Sequence, residues 1–203
     1  MRDSKGAQQI VNAAGKPPSR PPHKLLDGIS FLELSKDLSA EEENLRLHVR
    51  NVCETLVAPI AAQVWAGGSF DCRFVQACKA IGPAGLQIKE FGLSNVEALL
   101  VVMEIARIDA SLATFALVHS GLAMRSIAMA RWEKIGCFAL TEAFNGSDAG
   151  GLTTRAKSVE GGFVLNGNKR WIGNATRCDL AVVWARDEDT RRVEGFLVVI
   201  VHA

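Results

Sequence analysis

The hydrophobic pattern of the chain changes its period near residue 136, and this change constrains the fold more than any other feature. Before it, apolar residues recur at three- and four-residue steps, as on one face of an α-helix. After it, short apolar runs alternate with turn residues, as in β-strands. The sequence therefore predicts an α+β protein: an N-terminal all-α helical domain followed by an antiparallel, β-barrel-like domain, incomplete at the last residue. We expect a disordered tail at 1–35, the helical domain at 36–136 and the β domain at 137–203.

Local signals indicate where the main helices begin and end. Ser39 with Glu42, and Ser94 with Glu97, have the spacing of a capping box, in which the serine hydroxyl and the glutamate satisfy each other's backbone amides. The glycine pair 67–68 is typical of a helix end. We therefore expect one long amphipathic helix after Ser39 and a nearly all-apolar, buried helix after Ser94.

In the second half of the chain, turn residues separate short apolar segments, as is typical of a β domain. The segment 155–166 predicts a hairpin around a Glu-Gly-Gly turn, and further strands are expected at 179–185 and 195–201. An Asn-Gly turn signal precedes a fourth extended segment at 169–172.

Composition excludes several classes of function. The chain carries 23 basic and 22 acidic residues, a net charge of +1 that gives no electrostatic footprint for nucleic acid or an anionic membrane. Apolar runs such as Phe196–Val201 are too short to span a bilayer. The five cysteines form no C-x-x-C pair and the four histidines no H-x-x-x-H pair, so we expect no metal site.

Two segments carry residues suited to a polar or flat ligand. The first, 137–148, reads CFALTEAFNGSD: an apolar strand enters a turn with hydroxyls, a carboxylate and a glycine through which a backbone amide can approach a ligand. The second, 169–174, reads KRWIGN, in which a tryptophan beside Ile and Gly can lay a flat indole against a flat cofactor. From the residues alone, an ordinary turn and an ordinary core tryptophan remain open for both.

Together the two segments resemble the acyl-CoA dehydrogenase/oxidase flavoproteins, whose patterns are T-E-P-x-x-G-S-D and, after a short hairpin, W-I-x-N. The stretches 105–111 and 117–122 also resemble that family. The subgroup most similar is that of the plant peroxisomal short-chain acyl-CoA oxidases, which are themselves similar to glutaryl-CoA dehydrogenases.

The resemblance implies a helical domain, a middle β domain and a C-terminal four-helix domain, with FAD between the last two. Thr141 would bond the pyrimidine side of the flavin, and Ser147 would contact the acyl-CoA or a flavin phosphate. A glutamate of the C-terminal domain, which these 203 residues do not include, would act as the base, so no catalytic residue is assigned here. The residues expected to bind the cofactor are Phe138, Ala139, Leu140, Thr141, Glu142, Gly146, Ser147, Trp171, Ile172 and Gly173.

The implied activity is the FAD-dependent oxidation of short-chain acyl-CoA to trans-2-enoyl-CoA in fatty acid β-oxidation, by α-proton abstraction and β-hydride transfer to flavin. The resemblance also implies a homo-oligomer, which in this family is a tetramer. The resemblance implies a peroxisomal location, with the mitochondrion as the alternative, and no targeting signal is recognised in the chain. These residues alone are expected to be inactive. The alternatives are a non-catalytic interaction module and a non-productive gene or splice product.

The sequence departs from the family pattern at four places. Ala143 and Phe144 stand where the family has proline and a small residue, and the connection from 129 to 137 is shorter than in relatives. Ala113 and Thr114 replace the arginine of the glutaryl-type enzymes, which argues against a dicarboxylyl substrate. The last departure is the end of the sequence inside the β domain.

Overall fold

The structure, a computed structural model, describes residues 34–82, 93–127 and 132–201. The chain divides into two compact units, Met1–Leu38 and Ser39–Ala203. The expected tail at 1–35 lies outside the described residues except for its last two, which belong to the short 3₁₀ helix Leu34–Asp37. All elements discussed below belong to the second unit.

Helices make up the first half of this unit. In the described part of the chain, none of them is long and apolar enough to cross a bilayer. The α-helices are α1 (Ala40–Val52), α2 (Ala58–Gly67), α3 (Arg73–Ile81), α4 (Asn95–Ile108), α5 (Ala110–Leu117) and α6 (Met124–Ile127). Two π-helical segments, Cys53–Val57 and Val118–Ala123, join α1 to α2 and α5 to α6. The long helix expected after Ser39 is therefore continuous, but its middle is widened by a π-helical turn.

The expected helix caps are confirmed. The Glu42 amide donates to Ser39 Oγ at 3.2 Å, and the Ser39 amide donates to Glu42 Oε2 at 2.8 Å. Ser94 and Glu97 repeat the exchange at 3.1 and 2.6 Å. Gly68 ends α2 with a φ of 59°, in the left-handed region that glycine enters without a steric penalty. These reciprocal bonds satisfy amides that the helix leaves unpaired in its first turn.

A single apolar core joins the helices. It is formed by buried side chains from all five longer helices and the first π-helical segment, among them Val49, Cys53, Cys78, Val101 and Phe115. Four of the five cysteines are buried, and Cys72 alone is exposed among them. Burial raises the pKa of the Cys53 and Cys78 thiols to about 12, so both remain protonated and pack as small apolar side chains.

The second half is one mixed sheet built around β4. Its strands are β1 (Gly136–Ala139), β2 (Arg155–Val159), β3 (Gly162–Asn166), β4 (Leu180–Asp187) and β5 (Val193–Val199). One edge of β4 pairs in parallel with β1 and, further along, with β2, while its other edge pairs antiparallel with β5. The hairpin of β2 and β3 is antiparallel, as expected.

The predicted α+β class is confirmed, with two corrections to the sheet. The sheet is mixed rather than antiparallel, and among the described residues it is open rather than barrel-like. The extended segment expected at 169–172 is a loop. Pattern reasoning placed the strands but not their directions, because parallel partners such as β1 and β4 are joined by a long crossover that leaves no local signal.

A buried carboxylate ties α1 to α4. Glu104 is 1% exposed and accepts from Arg46 Nη1 at 3.1 Å, from Arg50 Nη2 at 2.8 Å and from Arg107 Nε at 3.2 Å. Arg46 is itself buried. Such a group is stable only when its charge is compensated, since an unpaired ion in a protein interior costs several kcal/mol.

We expect Glu104→Gln to lower the free energy of unfolding by about 3 kcal/mol, because it removes the buried negative charge that Arg46, Arg50 and Arg107 share. Urea unfolding followed by circular dichroism measures this. The matched control is Glu54→Gln: Glu54 also pairs with Arg107, but its side chain is 53% exposed, so the loss should stay below about 1 kcal/mol. Equal losses in the two variants would contradict the proposed importance of the buried network.

Candidate functional site

The structure brings the two sequence motifs side by side. The loop that follows β1 and the loop that follows β3 are joined by the Arg170 amide, which donates to the Thr141 carbonyl at 2.8 Å. Lys169 Nζ donates to the Leu140 carbonyl at 3.0 Å. Residues 140–142 and 169–171 therefore form one continuous surface, although almost thirty residues separate them in the chain.

A buried carboxylate lies beneath this surface. Glu142 is 5% exposed and accepts from the amide and hydroxyl of Thr153, each at 2.6 Å, and from the amide and hydroxyl of Thr154 at 2.8 and 2.5 Å. Lys169 Nζ adds a fifth donor at 2.9 Å. Burial raises the pKa of Glu142, but the hydrogen bonds from Thr153 and Thr154 outweigh it and hold that pKa well below its usual range. The Glu142 side chain is thus fully engaged within the protein, and its backbone amide donates to the Asn145 carbonyl at 3.1 Å.

Trp171 projects from this surface into solvent. Its backbone has a φ of 59°, a left-handed conformation that bulky residues rarely adopt, and its side chain is 80% exposed. The Arg170 guanidinium lies 4.5 Å from the centre of the indole ring, within cation–π distance. The indole therefore presents a flat apolar face to the outside of the protein.

The residues that follow Trp171 attach the loop to its surroundings. Ile172 packs against the small apolar cluster of Cys137, Cys178 and Ala181. A Cβ at Gly173 would lie 3.1 Å from Val118 Cγ2, so the backbone approaches the second π-helical segment closely there. Two neighbouring residues of the second motif therefore point in opposite directions: Trp171 faces solvent, while Ile172 faces the interior.

The remaining residues of the first motif have contrasting surroundings. Phe138 packs against Trp184 with ring centres 5.7 Å apart, and Ala139 is buried. Gly146 and Ser147 are exposed, and a Cβ at Gly146 would meet no atom within 4 Å. No hydrogen bond between described residues joins Gly146 or Ser147 to the Trp171 loop.

Two observations bear on an outside ligand at the turn itself. Thr141 is half-buried, and its hydroxyl makes no hydrogen bond to another described residue. Phe144 is 97% exposed, so this bulky departure from the family pattern points into solvent and does not fill the turn. The hydroxyl of Thr141 is therefore free to bond a ligand.

The surface lies where the helices meet the sheet. The Gly136 amide donates to His119 Nδ1 at 3.0 Å, and Asn174 Nδ2 donates to the carbonyls of Gly136 at 3.3 Å and Phe115 at 3.2 Å. His119 is fully buried and stacks on Trp132 with ring centres 4.3 Å apart. An imidazole that accepts at Nδ1 carries its proton on Nε2, and burial lowers the pKa of His119 to about 4.

Sequence reasoning missed several residues that hold the surface together. Lys169, Arg170 and Asn174 lie in the second motif, but were given no role, and Thr153 and Thr154 were not singled out. A lysine shortly before the tryptophan was a visible signal, but nothing local identified Glu142 as its partner. A cavity of about 390 Å³ lies elsewhere, between the ends of α2 and α5, and none of the expected site residues line it.

Comparison with known proteins assigns this arrangement to a class. Residues 39–132 match the acyl-CoA dehydrogenase N-terminal domain, and residues 137–203 match the acyl-CoA dehydrogenase middle domain. Helices followed by a sheet, with the two motif loops in contact, define the class as the first two domains of such flavoproteins. The chain belongs to the acyl-CoA dehydrogenase family, a family of FAD-dependent oxidoreductases.

Individual relatives agree with this assignment. The mitochondrial short-chain specific acyl-CoA dehydrogenases of Mus musculus and Homo sapiens are 30% and 31% identical over 185 residues, covering 82% of this chain and 45% of theirs. The glutaryl-CoA dehydrogenase of Mycobacterium smegmatis superposes with a TM-score of 0.76 at 29% identity, over 84% of this chain and 48% of its own. An acyl-CoA dehydrogenase from Bacillus anthracis, solved with FAD, gives a TM-score of 0.70 at 28% identity, over 81% of this chain and 31% of its own. The chain thus spans about half the length of the curated relatives it matches.

Buried His119 should make stability depend on pH in a defined direction. Its pKa is about 4 in the folded chain against an ordinary 6.5, so between these values the unfolded chain binds a proton that the folded chain does not. Stability contributed by the neutral ring is complete above pH 6.5 and declines as the pH falls towards 4, by up to about 3 kcal/mol.

Urea unfolding of His119→Gln between pH 4 and 7 tests this, since glutamine can still accept from the Gly136 amide but does not titrate. We expect the free energy of unfolding of the variant to vary less with pH than that of the native chain, by the amount that the uptake of about one proton on unfolding produces. His48→Gln, the same substitution at an exposed histidine, is the matched control. An unchanged slope in His119→Gln would refute the assignment.

Proposed function

We propose that the protein of which these residues are part oxidises short-chain acyl-CoA thioesters to trans-2-enoyl-CoA with FAD. The observation that carries the proposal is the exposed, left-handed Trp171 on a loop hydrogen-bonded to the Thr141 segment. Family membership supplies the general chemistry. The substrate, the residues that bind it and the cofactor contacts are parts of the proposal.

The residues present fit a flat cofactor with a polar edge. The Trp171 indole offers an apolar face, the Thr141 hydroxyl has no partner among the described residues, and the backbone at Gly146 is open. Within the proposal, the backbone of 138–142 borders the flavin, and Ile172 and Gly173 support the loop that lies along its edge. When bound, FAD supplies the hydride acceptor.

Each of these groups has a separate task. Trp171 would cover the ring and exclude water, so that the electrostatic interactions of the site strengthen. Thr141 would donate towards the pyrimidine edge and stabilise negative charge there. Ser147, exposed beside Gly146, would bond the acyl-CoA or a phosphate. The base that takes the α-proton would come from a helical domain outside residues 1–203, in accord with the fraction of the relatives that this chain spans.

The finer assignments draw on the relatives. The mouse and human relatives are named short-chain specific and mitochondrial, which supports a short-chain substrate and favours the mitochondrion over the peroxisome. Those names also favour a dehydrogenase over an oxidase. We further propose domains at 36–136 and 137–203, since the two family matches lie on either side of residues 133–136, and a homo-oligomeric assembly like the family's tetramer.

FAD binding to the chain tests the cofactor assignment. We expect FAD to bind with a shift of its visible absorbance, and Trp171→Ala to weaken binding roughly tenfold, as the loss of one aromatic stacking contact predicts. Trp65→Ala is the matched control, because Trp65 is equally exposed, at 79%, but lies at the end of α2. Equal affinities for the two variants would remove Trp171 from the site.

Substrate and acceptor are tested on the protein extended by its remaining domain. Butyryl-CoA should bleach the flavin under anaerobic conditions, and glutaryl-CoA should not. If the protein is a dehydrogenase, air should restore the colour slowly, with peroxide formed no faster than the flavin is reoxidised. Rapid peroxide formation would assign it as an oxidase instead.

A second candidate function is favoured by β5. Among the described residues β5 pairs only with β4, and Leu197 and Val199 on it are 55% and 68% exposed. A sheet edge of this kind can accept another strand. A non-catalytic role as an interaction module predicts that the chain co-purifies with full-length subunits, and a stable monomer that ignores them would exclude it.

A further inference from the structure

The backbone of Trp171 needs an explanation that its side chain does not provide. A φ of 59° in a residue other than glycine is strained and persists only where the surroundings impose it. The exposed indole makes few contacts that could compensate this cost. The restraint must therefore come from the residues on either side.

On the N-terminal side, the restraint begins at a buried ion pair. Lys169 and Glu142 have side chains only 10% and 4% exposed, with 2.9 Å between Nζ and Oε1. The same Nζ donates to the Leu140 carbonyl at 3.0 Å, and the next amide, that of Arg170, donates to the Thr141 carbonyl at 2.8 Å. Lys169 thus binds the segment 140–142 through its side chain. The next residue, Arg170, binds the same segment through its backbone amide.

On the C-terminal side, the chain is fastened to a different part of the protein. Ile172 packs into the cluster with Cys137 and Cys178, and Asn174 bonds two carbonyls, one in a helix and one in β1. The residues on both sides of Trp171 are therefore fixed to the rest of the protein, which leaves its backbone little freedom, while the indole itself remains exposed to solvent.

We propose that Glu142 and Lys169 are positioning residues, whose buried ion pair holds Trp171 in its left-handed conformation and so presents the indole before any ligand binds. The proposal rests on the proposed function only in naming FAD as that ligand. Preorganisation matters because a loop that is already ordered does not lose conformational entropy when it binds. Neither side chain touches the ligand in this account, so both side chains act through Trp171.

The two partners can be separated by mutation. Glu142 also accepts four hydrogen bonds from Thr153 and Thr154, so its removal disturbs the start of β2 as well. Lys169→Met removes only the ammonium group: it keeps a long apolar stem in the site and leaves those four bonds in place. Lys169→Arg retains a cation and is the conservative variant. Arg155→Met is the matched control, since Arg155 pairs with Glu188 at 3.9 Å on the surface.

The first measurement needs no cofactor. Amide hydrogen exchange by NMR on the ligand-free chain should show the Arg170 amide exchanging at least tenfold faster in Lys169→Met than in the native chain. Amides of β4 should keep their native rates, which shows that the sheet is intact. Lys169→Arg should restore much of the protection, and Arg155→Met should leave the Arg170 amide unchanged.

The second measurement is FAD affinity, at a temperature where circular dichroism shows each variant folded. Lys169→Met should bind FAD roughly tenfold more weakly, Lys169→Arg should recover most of the affinity, and Arg155→Met should match the native chain. A merely structural lysine would change the melting temperature without this pattern.

The outcomes distinguish the two proposals. Failure of both the native chain and the protein extended by its remaining domain to bind FAD would refute the proposed cofactor site, while the exchange rates still decide whether the pair restrains the loop. If FAD binds and Lys169→Met leaves either the Arg170 exchange rate or the FAD affinity at its native value, the positioning role is overturned. An equal exchange increase throughout β4 would overturn it too, because the pair would then serve the whole sheet.

Discussion

A carboxylate that cannot remain buried without partners organises the second half of this protein. Glu142 receives five hydrogen bonds from two stretches of chain: two consecutive threonines before β2, and a lysine after β3. An ionised carboxylate without such partners would cost several kcal/mol or take up a proton. Because its partners come from both sides of the β2–β3 hairpin, satisfying this one group requires the hairpin to return against the first motif.

That requirement explains why the candidate site is made largely of backbone. The hydrogen bond that joins the two loops runs from one main-chain amide to one main-chain carbonyl. The side chains beneath it, those of Glu142 and Lys169, use their hydrogen bonds to hold these two backbone segments in place. What remains outside is a half-buried hydroxyl at Thr141 and an indole at Trp171, which are the groups available to a ligand.

A second constraint acts at the junction between helices and sheet. Gly136 uses its amide to bond His119 and its carbonyl to accept from Asn174, so both polar groups of one residue are satisfied across the junction. A Cβ there would come within 2.6 Å of both the Ala123 Cβ and the Met124 methyl carbon. Only glycine allows β1 to approach the π-helical segment this closely. The loop that carries Trp171 is positioned by the same approach, because Asn174 at its end donates to the Gly136 carbonyl.

The features that the sequence predicted are those with local causes. Both serine caps, the end of α2 and the hairpin at 155–166 follow from residues within a few positions of one another. The features it did not predict depend on contacts between distant residues. The parallel pairing of β1 with β4, and the bonds of Glu142 to Lys169, join residues whose distance apart in the chain carries no periodic signal.

The departures from the family pattern show the same division between backbone and side chain. Phe144 replaces a small residue in the first motif, but it is exposed, and the turn beneath it closes through the Glu142 amide and the Asn145 carbonyl at 3.1 Å. Trp132, in the shortened connection, donates its indole proton to the Gly82 carbonyl at 3.2 Å and stacks on His119.

Each change therefore lies outside the bonds that set the backbone of the two motif loops. All the hydrogen bonds that Glu142 and Gly136 make to their buried partners are formed in spite of these changes. The proposed cofactor surface therefore depends on these bonds rather than on how many motif residues match the family pattern.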